Sequence, residues 1–151
     1  DLPPRSRTTL HVNHIMGPDK DVSVSISSER PIICERPMYF LYNGVWSGGH
    51  CVTGVGEPST TWNFAEGSTR EGFDEWLCLQ NPDALASRAD LTFMTGEGEV
   101  VPYQVDLPPR SRTTLHVNHI MGPDKDVSVS ISSERPIICE RPMYFRRWTV
   151  F

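Results

Sequence analysis

Four cysteines are the residues of this sequence best suited to covalent chemistry: Cys34, Cys51, Cys78 and Cys139. They allow three complete pairings, and the sequence cannot select among them. Cys78 lies on an early predicted strand and Cys139 on a late one, so a disulfide between them would join the two sheets of a sandwich. The alternative is that both are free thiols, buried as small apolar residues. A zinc site is disfavoured because the sequence contains no C-x-x-C pair.

Histidines are the next candidates, as metal ligands or ligand contacts. His11 and His14 recur as His116 and His119, but residues three apart on a strand point to opposite faces. We therefore expect solvent-facing histidines at a strand end, and no metal or cofactor is predicted. His50 lies beside glycines in SGGHCV, which permits close approach of a ligand or of a neighbouring domain. Packing against a neighbouring domain is the favoured role.

One charged residue interrupts an apolar strand face. In PIICERPMYF this residue is Arg36, and in the second copy of the segment it is Arg141. A buried unpaired charge is costly, so we predict a structural ion pair between Arg141 and Glu66, with Glu71 as the alternative partner. No spacing of acidic residues requires hydrolytic catalysis, and no G-x-S-x-G motif occurs. The sequence therefore predicts a protein that is not an enzyme.

Aromatic residues gather around a glycine-rich stretch and the segment after it: Tyr42, Trp46, Trp62 and Trp76. If these side chains are exposed, they could stack on sugar rings. If they are buried, they form an interface between domains, where aromatic residues dominate contacts. The interface is the favoured interpretation, and Trp46, His50 and Trp62 are the residues we assign to an interface or a sugar contact.

The elements that carry these residues are predicted to be strands. Thirteen prolines and eleven glycines separate short runs rich in Val, Ile, Thr, Phe and Tyr. Period-two alternation gives inner faces, and these are Val22, Val24 and Ile26; Leu10 and Val12; Leu91 and Phe93; and Val101, Tyr103, Val105 and Leu107. Gly96–Gly98 and Met16–Asp19 are predicted hairpin turns. With 61–64 and 74–80 added, the sequence predicts an all-β, immunoglobulin-like sandwich of about seven strands per repeat.

A perfect repeat sets the domain organisation. Residues 1–40 recur letter for letter at 106–145, a period of 105 residues. We predict that 1–40 is the second half of a preceding repeat, 41–60 a glycine-rich connector, 61–145 a complete sandwich and 146–151 a tail. Two copies of the second half then compete for one first half at 61–105. Strand exchange or oligomerisation is therefore predicted, with other repeats or a second copy of the chain as partners.

Composition and charge exclude other classes of partner. The formal net charge is −5 with both signs interspersed, which argues against nucleic-acid binding. No run approaches the roughly 20 apolar residues of a membrane span. The N-terminus is neither a start methionine nor a signal peptide, so we expect a piece of a longer precursor.

Several motifs in order resemble those of a known group of proteins. The segments GGHCVTG, WNFAEGST, LCLQNP, SRTTLHVN and ERPMYF are similar to those of an uncharacterised repeat family of large secreted or cell-surface bacterial proteins. The resemblance covers nearly the whole chain up to Phe145, although the cysteines are not part of the pattern. It implies an extracellular stalk or adhesin built of repeated β-sandwiches, and no catalytic residue. A sugar-binding module that uses the connector aromatics and glycan partners is the alternative function.

Overall fold

The computed structural model describes residues 1–146, and nearly all of the regular structure in it is β-strand. Two short helices are present, α1 (Val12–Met16) and α2 (Val117–Met121). The strands in chain order are β1 (Glu35–Tyr42), β2 (Trp46–Thr53), β3 (Ser59–Phe64), β4 (Phe73–Asn81), β5 (Ser87–Thr95), β6 (Val100–Leu107), β7 (Ser111–His116), β8 (Val127–Glu140) and β9 (Met143–Phe145). The strands β1 and β2 form a separate hairpin, and β3 to β9 form a sandwich.

The long strand β8 connects the two layers of the sandwich. Its first half lies between β5 and β3, and β6 extends that layer from β5. Its last residues pair with β4, which also pairs with β7 and β9. All of these pairs are antiparallel. A strand that passes from one layer to the other forms a corner of a sandwich without leaving free edges there.

The core lies between these layers and follows from the alternation of side chains along each strand. Buried residues at every second position come from β4, β5 and β8: Leu77, Leu79, Leu91, Phe93, Val127, Val129, Ile131, Ile137 and Cys139. Trp62 and Phe64 of β3 pack against this cluster from its margin. The predicted all-β sandwich is thereby confirmed, and seven strands, β3 to β9, build it within residues 1–146.

Three details of the prediction were wrong. Tyr103 of β6 is exposed instead of facing inward with its neighbours. The segment that begins at Val117 leaves the strand and forms one turn of helix. Its counterpart in the first copy is α1, and Met16–Asp19 ends that helix, with Gly17 at φ +82°, instead of forming a hairpin turn. The loop at Gly96–Gly98 does join the paired strands β5 and β6, as predicted.

The two copies of the repeated segment have different structures. The second copy forms β7, α2, β8 and β9, whereas residues 1–34 of the first copy contain α1 and no strand. Leu10 is 70% exposed and its copy Leu115 only 8%, while Ile26 is 62% exposed and its copy Ile131 only 3%. The apolar face predicted for residues 22–26 is therefore a core face in the second copy alone.

Residues 21–36 of the first copy contact the sandwich through polar side chains. Arg36 forms an ion pair of 3.0 Å with Glu140, and Asp21 lies 3.2 Å from Arg112. The Gln80 amide donates a hydrogen bond of 3.0 Å to the Ser25 hydroxyl. These exposed contacts are individually weak, so they position residues 21–36 without burying their apolar side chains.

In the part of the chain from residue 1 to 146, none of the helices is long and apolar enough to span a membrane.

Candidate functional site

A cluster of polar and aromatic side chains joins the hairpin to the sandwich, and Asp74 is at its centre. The Tyr42 hydroxyl donates a hydrogen bond to Asp74 Oδ2, and His116 Nε2 contacts Asp74 Oδ1. The Trp76 indole N–H donates to the Tyr42 oxygen at 3.2 Å. The Tyr42 hydroxyl therefore donates one hydrogen bond to a carboxylate and accepts another from an indole.

Stacked rings surround this hydrogen-bonded centre. Tyr42 and Tyr144 are nearly parallel, with centroids 4.2 Å apart, and Trp76 stacks on His116 at 4.1 Å. Trp46 lies 5.8 Å from Tyr42 at the tip of the hairpin. Ring pairs at these separations add about 0.5–1.5 kcal/mol each beyond the area they bury. The Asp74 cluster, which we define as Tyr42, Asp74, Trp76, His116 and Tyr144, thus holds the hairpin by both ring and hydrogen-bond contacts.

The register of three strands creates this site on the outer face of the sandwich. Along β4, Glu75, Leu77 and Leu79 point into the core, so Asp74 and Trp76 point outward. Trp76 pairs with His116 of β7, and Asp74 pairs with Tyr144 of β9. Directly opposite residues are close enough for their side chains to interact. The hairpin then delivers Tyr42 from the last position of β1.

The electrostatics of the cluster favour a stable contact over proton transfer. Burial raises the pKa of Tyr42 to about 12, and the Asp74 acceptor adds to the rise. The phenol therefore remains a hydrogen-bond donor at any physiological pH. An aspartate–histidine pair can serve as a general base when the second ring nitrogen reaches a substrate. Here the second nitrogen, Nδ1 of His116, is closed off from solvent.

A second polar group, a buried ion pair, lies inside the sandwich beneath this face. Glu75 is 1% exposed, and its Oε1 lies 3.7 Å from Nη1 of Arg141. Burial raises the pKa of Glu75 to about 7, against the opposing effects of the Arg141 charge and of a hydrogen bond from the Ser68 backbone. A Cβ on Gly67 would lie 2.4 Å from both carboxylate oxygens. Glycine at 67 is therefore what makes room for Glu75.

The predicted ion pair thus has the right arginine and the wrong acid. Glu66 is exposed and Glu75 takes its place as the partner of Arg141. The reason is the alternation along β4, which directs Glu75 inward beside the break between β8 and β9 where Arg141 lies. The sequence could not distinguish among the acids near this segment, because the strand pairing that brings residues 75 and 141 together is not local.

The disulfide predicted between Cys78 and Cys139 is not formed, and all four cysteines are free. Both residues lie on one layer instead of bridging two, because β4 pairs with β8. Cys139 is opposite Leu79, and Cys78 is opposite Glu140, so the two thiols point to opposite faces of the ladder. Burial raises the pKa of Cys139 to about 12, which keeps this thiol protonated and unreactive.

The aromatic residues assigned to an interface or a sugar contact lie in two places. Trp46 is at the hairpin tip beside Tyr42. His50 is further along β2, and its ring centroid lies 6.3 Å from that of Phe40. Its Nε2 atom is buried and has no hydrogen-bond partner among residues 1–146. Trp62 lies on β3 of the sandwich, where its indole donates a hydrogen bond to the Ile137 carbonyl of β8 at 3.1 Å. Only Trp46 and His50 therefore belong to the hairpin.

Sequence reasoning did not find Asp74, His116 and Tyr144 as one site. Alternation along 74–80 does place Asp74 and Trp76 on a common face, and that was the available signal. Nothing in the sequence indicates that a residue of the preceding hairpin reaches this face.

Comparison with known proteins gives structural neighbours only. No protein-family model matches the chain, and no curated protein does. The Anabaena sensory rhodopsin transducer is similar at 25% identity, with a TM-score of 0.52, over 56% of this chain and 96% of that one. Thermotoga maritima 1070 is similar at 18% identity, with a TM-score of 0.52, over 60% of this chain and 95% of that one. Each neighbour thus matches a part of this chain comparable in length to its single sandwich.

Proposed function

We propose that the chain is a structural and adhesive tandem-repeat module of a secreted or cell-surface bacterial protein. In this proposal each hairpin joins two consecutive sandwiches, and the Asp74 cluster is the joint. The observation that carries the proposal is the path of the chain. A segment identical to half a sandwich leads directly into the hairpin, and Tyr42 of that hairpin is bound to the next sandwich.

The contacts support a joint that resists rotation. Tyr42 contributes one hydrogen bond to a carboxylate, one from an indole and one stacked ring. Arg36 adds an ion pair with Glu140 on the same side of the hairpin. A two-stranded hairpin is marginally stable by itself in water. Its order therefore depends on the sandwich, and the spacing between successive sandwiches follows from the position at which the hairpin is held.

The resemblance to extracellular repeat proteins supports the location, and a structural neighbour supports a role in contacts. The Anabaena neighbour is a transducer of a sensory rhodopsin. A sandwich of this kind is therefore compatible with a module that is recognised by other proteins. In our proposal the partners are neighbouring repeats and an adhesive target on another surface.

The joint can be tested by hydrogen exchange in the hairpin. Tyr42→Phe removes the hydroxyl and should accelerate exchange of the amides of β2 about tenfold or more, because a hydrogen bond to a charged group contributes about 1.5–3 kcal/mol. Tyr39→Phe is the matched control, since Tyr39 lies on the same strand and is 86% exposed. Exchange in β5 should be the same in both variants. Equal exchange of β2 in both variants would show that Tyr42 does not hold the hairpin.

The location needs a separate test. An antibody raised against the folded chain should label intact cells that produce the parent protein, without permeabilisation. Labelling only after lysis would refute a surface role, whatever the hairpin does.

Sugar binding is the second candidate, and one observation favours it. Trp46 is half-buried beside Tyr42 at the tip of an accessible hairpin, and aromatic faces of this kind stack on sugar rings. A glycan array should then give a ligand whose binding is lost in Trp46→Ala while the unfolding midpoint is unchanged. If no glycan on the array binds, sugar binding is refuted and the structural role is the function that stands.

A further inference from the structure

The chain contains two sets of strands that could complete one sandwich. We call residues 1–40 the first donor and residues 106–145 the second donor. In the structure the second donor supplies β7, α2, β8 and β9 to the strands β3 to β6. The first donor has the same sequence in full, so every core contact made by the second donor is available to it as well.

The register of the hairpin aligns the first donor with β3. The hairpin pairs Glu35 with Thr53 and advances one residue on each strand toward its tip. If the same register is continued away from the tip, Ile26 comes opposite Trp62. Val24 comes opposite Phe64 in the same way.

In the sandwich, Trp62 and Phe64 of β3 pair with the equivalent residues of the second donor. Trp62 of β3 pairs with Ile131, and Phe64 pairs with Val129. Ile131 and Val129 are the copies of Ile26 and Val24 in the second donor. From Thr61 to Phe64 the register of β3 on β8 is therefore the register that the hairpin turn sets, whereas an irregularity between Thr61 and Ser59 shifts the ladder by three residues, so that Ser59 pairs with Ile137. A shift by one residue would have turned the apolar side chains to the wrong face.

We propose that the first donor replaces the second donor in the sandwich by extension of the hairpin from β1 and β2 into residues 22–27 and β3. One chain can then build the same sandwich in two circularly permuted orders. This inference deepens the proposed function, on whose tandem arrangement it rests, because it names the strands that neighbouring repeats exchange. In a longer array each sandwich can be completed from either side.

The observed arrangement is favoured by contacts outside the core. Identical residues are buried in both orders, so the core does not distinguish them. The Tyr42–Asp74 hydrogen bond and the Arg36–Glu140 ion pair are contacts of the observed order. The first donor is kept nearby by Ser25, which accepts a hydrogen bond from Gln80. Exchange requires β8 to leave its place between β3 and β5, so it proceeds through partial unfolding and is slow.

Matched substitutions in the two donors test the exchange. Ile131→Asp places a charge in the core of the observed order, and Ile26→Asp places the same charge on the exposed first donor. We expect Ile26→Asp to unfold like the parent chain in urea. Ile131→Asp should remain folded and monomeric by light scattering, because the first donor takes over. The double variant should lose its cooperative transition.

Other outcomes overturn the proposal. An unfolded Ile131→Asp variant, or a double variant as stable as Ile131→Asp alone, would show that the first donor does not complete the sandwich. Ile131→Asp that folds only as a dimer would show exchange between chains and would refute exchange within one chain. None of these results bears on surface labelling or on the Tyr42→Phe experiment, so the proposed function fails or stands separately.

A disulfide trap gives a second measurement in a chain whose four cysteines are replaced by alanine. Asn63 contacts Ser130, whose hydroxyl donates to the Asn63 amide oxygen at 2.7 Å. Asn63→Cys with Ser130→Cys should therefore crosslink in the observed order. Asn63→Cys with Ser25→Cys should crosslink slowly within the chain, and completely when Ile131→Asp is added. Absence of the 25–63 crosslink in the Ile131→Asp chain would overturn the proposal.

Discussion

Replacing Glu75 by glutamine should remove a pH dependence from the stability of the sandwich. The carboxyl group is 1% exposed, and burial raises its pKa from an ordinary 4.5 to about 7. The folded chain therefore binds this proton more tightly than the unfolded chain does. The stabilising contribution of the group is complete below pH 4.5 and is lost as the pH rises through about 7.

The size of the effect follows from the separation of the two pKa values. One pKa unit is worth about 1.4 kcal/mol. A rise from 4.5 to about 7 then makes the parent chain less stable at pH 8 than at pH 4 by about 3 kcal/mol from this group alone. Other groups act in the opposite direction, such as Asp83, whose pKa is lowered first by a hydrogen bond from the Leu85 backbone. Their effect is the same in the parent chain and in Glu75→Gln, so it cancels in the difference between the two free energies of unfolding.

Urea unfolding followed by tryptophan fluorescence between pH 4 and pH 8 measures this difference. Relative to the parent, Glu75→Gln should gain about 3 kcal/mol in free energy of unfolding as the pH rises across this range. Glu97→Gln is the control, since Glu97 lies on the exposed loop between β5 and β6, and its difference from the parent should stay constant. A constant difference for Glu75→Gln as well would refute the reasoning. It would mean that the Arg141 charge offsets the effect of burial, so that Glu75 has the same pKa in the folded and the unfolded chain.

Three further predictions concern stability, each measured by urea unfolding. Gly67→Ala should lower the free energy of unfolding by about 1–3 kcal/mol, because the new Cβ displaces the buried carboxylate of Glu75. Gly96→Ala is the control, since a Cβ at this position has no atom within 4 Å, and it should change the free energy of unfolding by less than about 0.5 kcal/mol. Asn81→Ala should lower the free energy of unfolding by about 2–3 kcal/mol, because the Asn81 amide donates hydrogen bonds to three backbone carbonyls. No change in the free energy of unfolding would show that water satisfies these carbonyls in the variant. Leu115→Ala should lower the free energy of unfolding by about 2–5 kcal/mol. Leu10→Ala, at the identical position of the first copy, should lower it by less than about 0.5 kcal/mol. Equal losses in the two variants would contradict the finding that this leucine is buried in the second copy alone.

Alternation in the sequence was sufficient to predict the strands of the sandwich, and it failed where the structure depends on contacts between distant segments. Leu91 and Phe93 are buried as predicted, because a strand with one apolar face has only one way to bury it. No strand was predicted within the glycine-rich connector at 41–60, and this stretch contains the strand β2. Two-stranded pairing with β1 stabilises it, and most of that partner strand, residues 35–40, was assigned to the preceding repeat.

The candidate site could be predicted only in its local parts. Arg141 was identified because a charge on an apolar face needs a partner, and a buried acid does supply one. The identity of that acid depends on the pairing of β4 with β9, which brings together residues 66 positions apart in sequence. The same holds for Asp74, whose partners come from β7, β9 and the hairpin. Sites assembled from several strands are visible in a sequence only after the pairing is known.

The repeated segment separates local from non-local causes within one molecule. Both copies form the same turn of helix, and the same left-handed residues recur, with φ +53° at Arg5 and +48° at Arg110, and +57° at Asp19 and +60° at Asp124. These features need no partner, so identical sequence gives identical structure. Strand β8 forms in one copy only, because a strand requires β3, β4 and β5 beside it. Since the copies do not differ in sequence, the connections and the contacts outside the core, which include the Asp74 cluster and the Arg36–Glu140 ion pair, determine which of them completes the sandwich. A change there should alter the choice without touching the core.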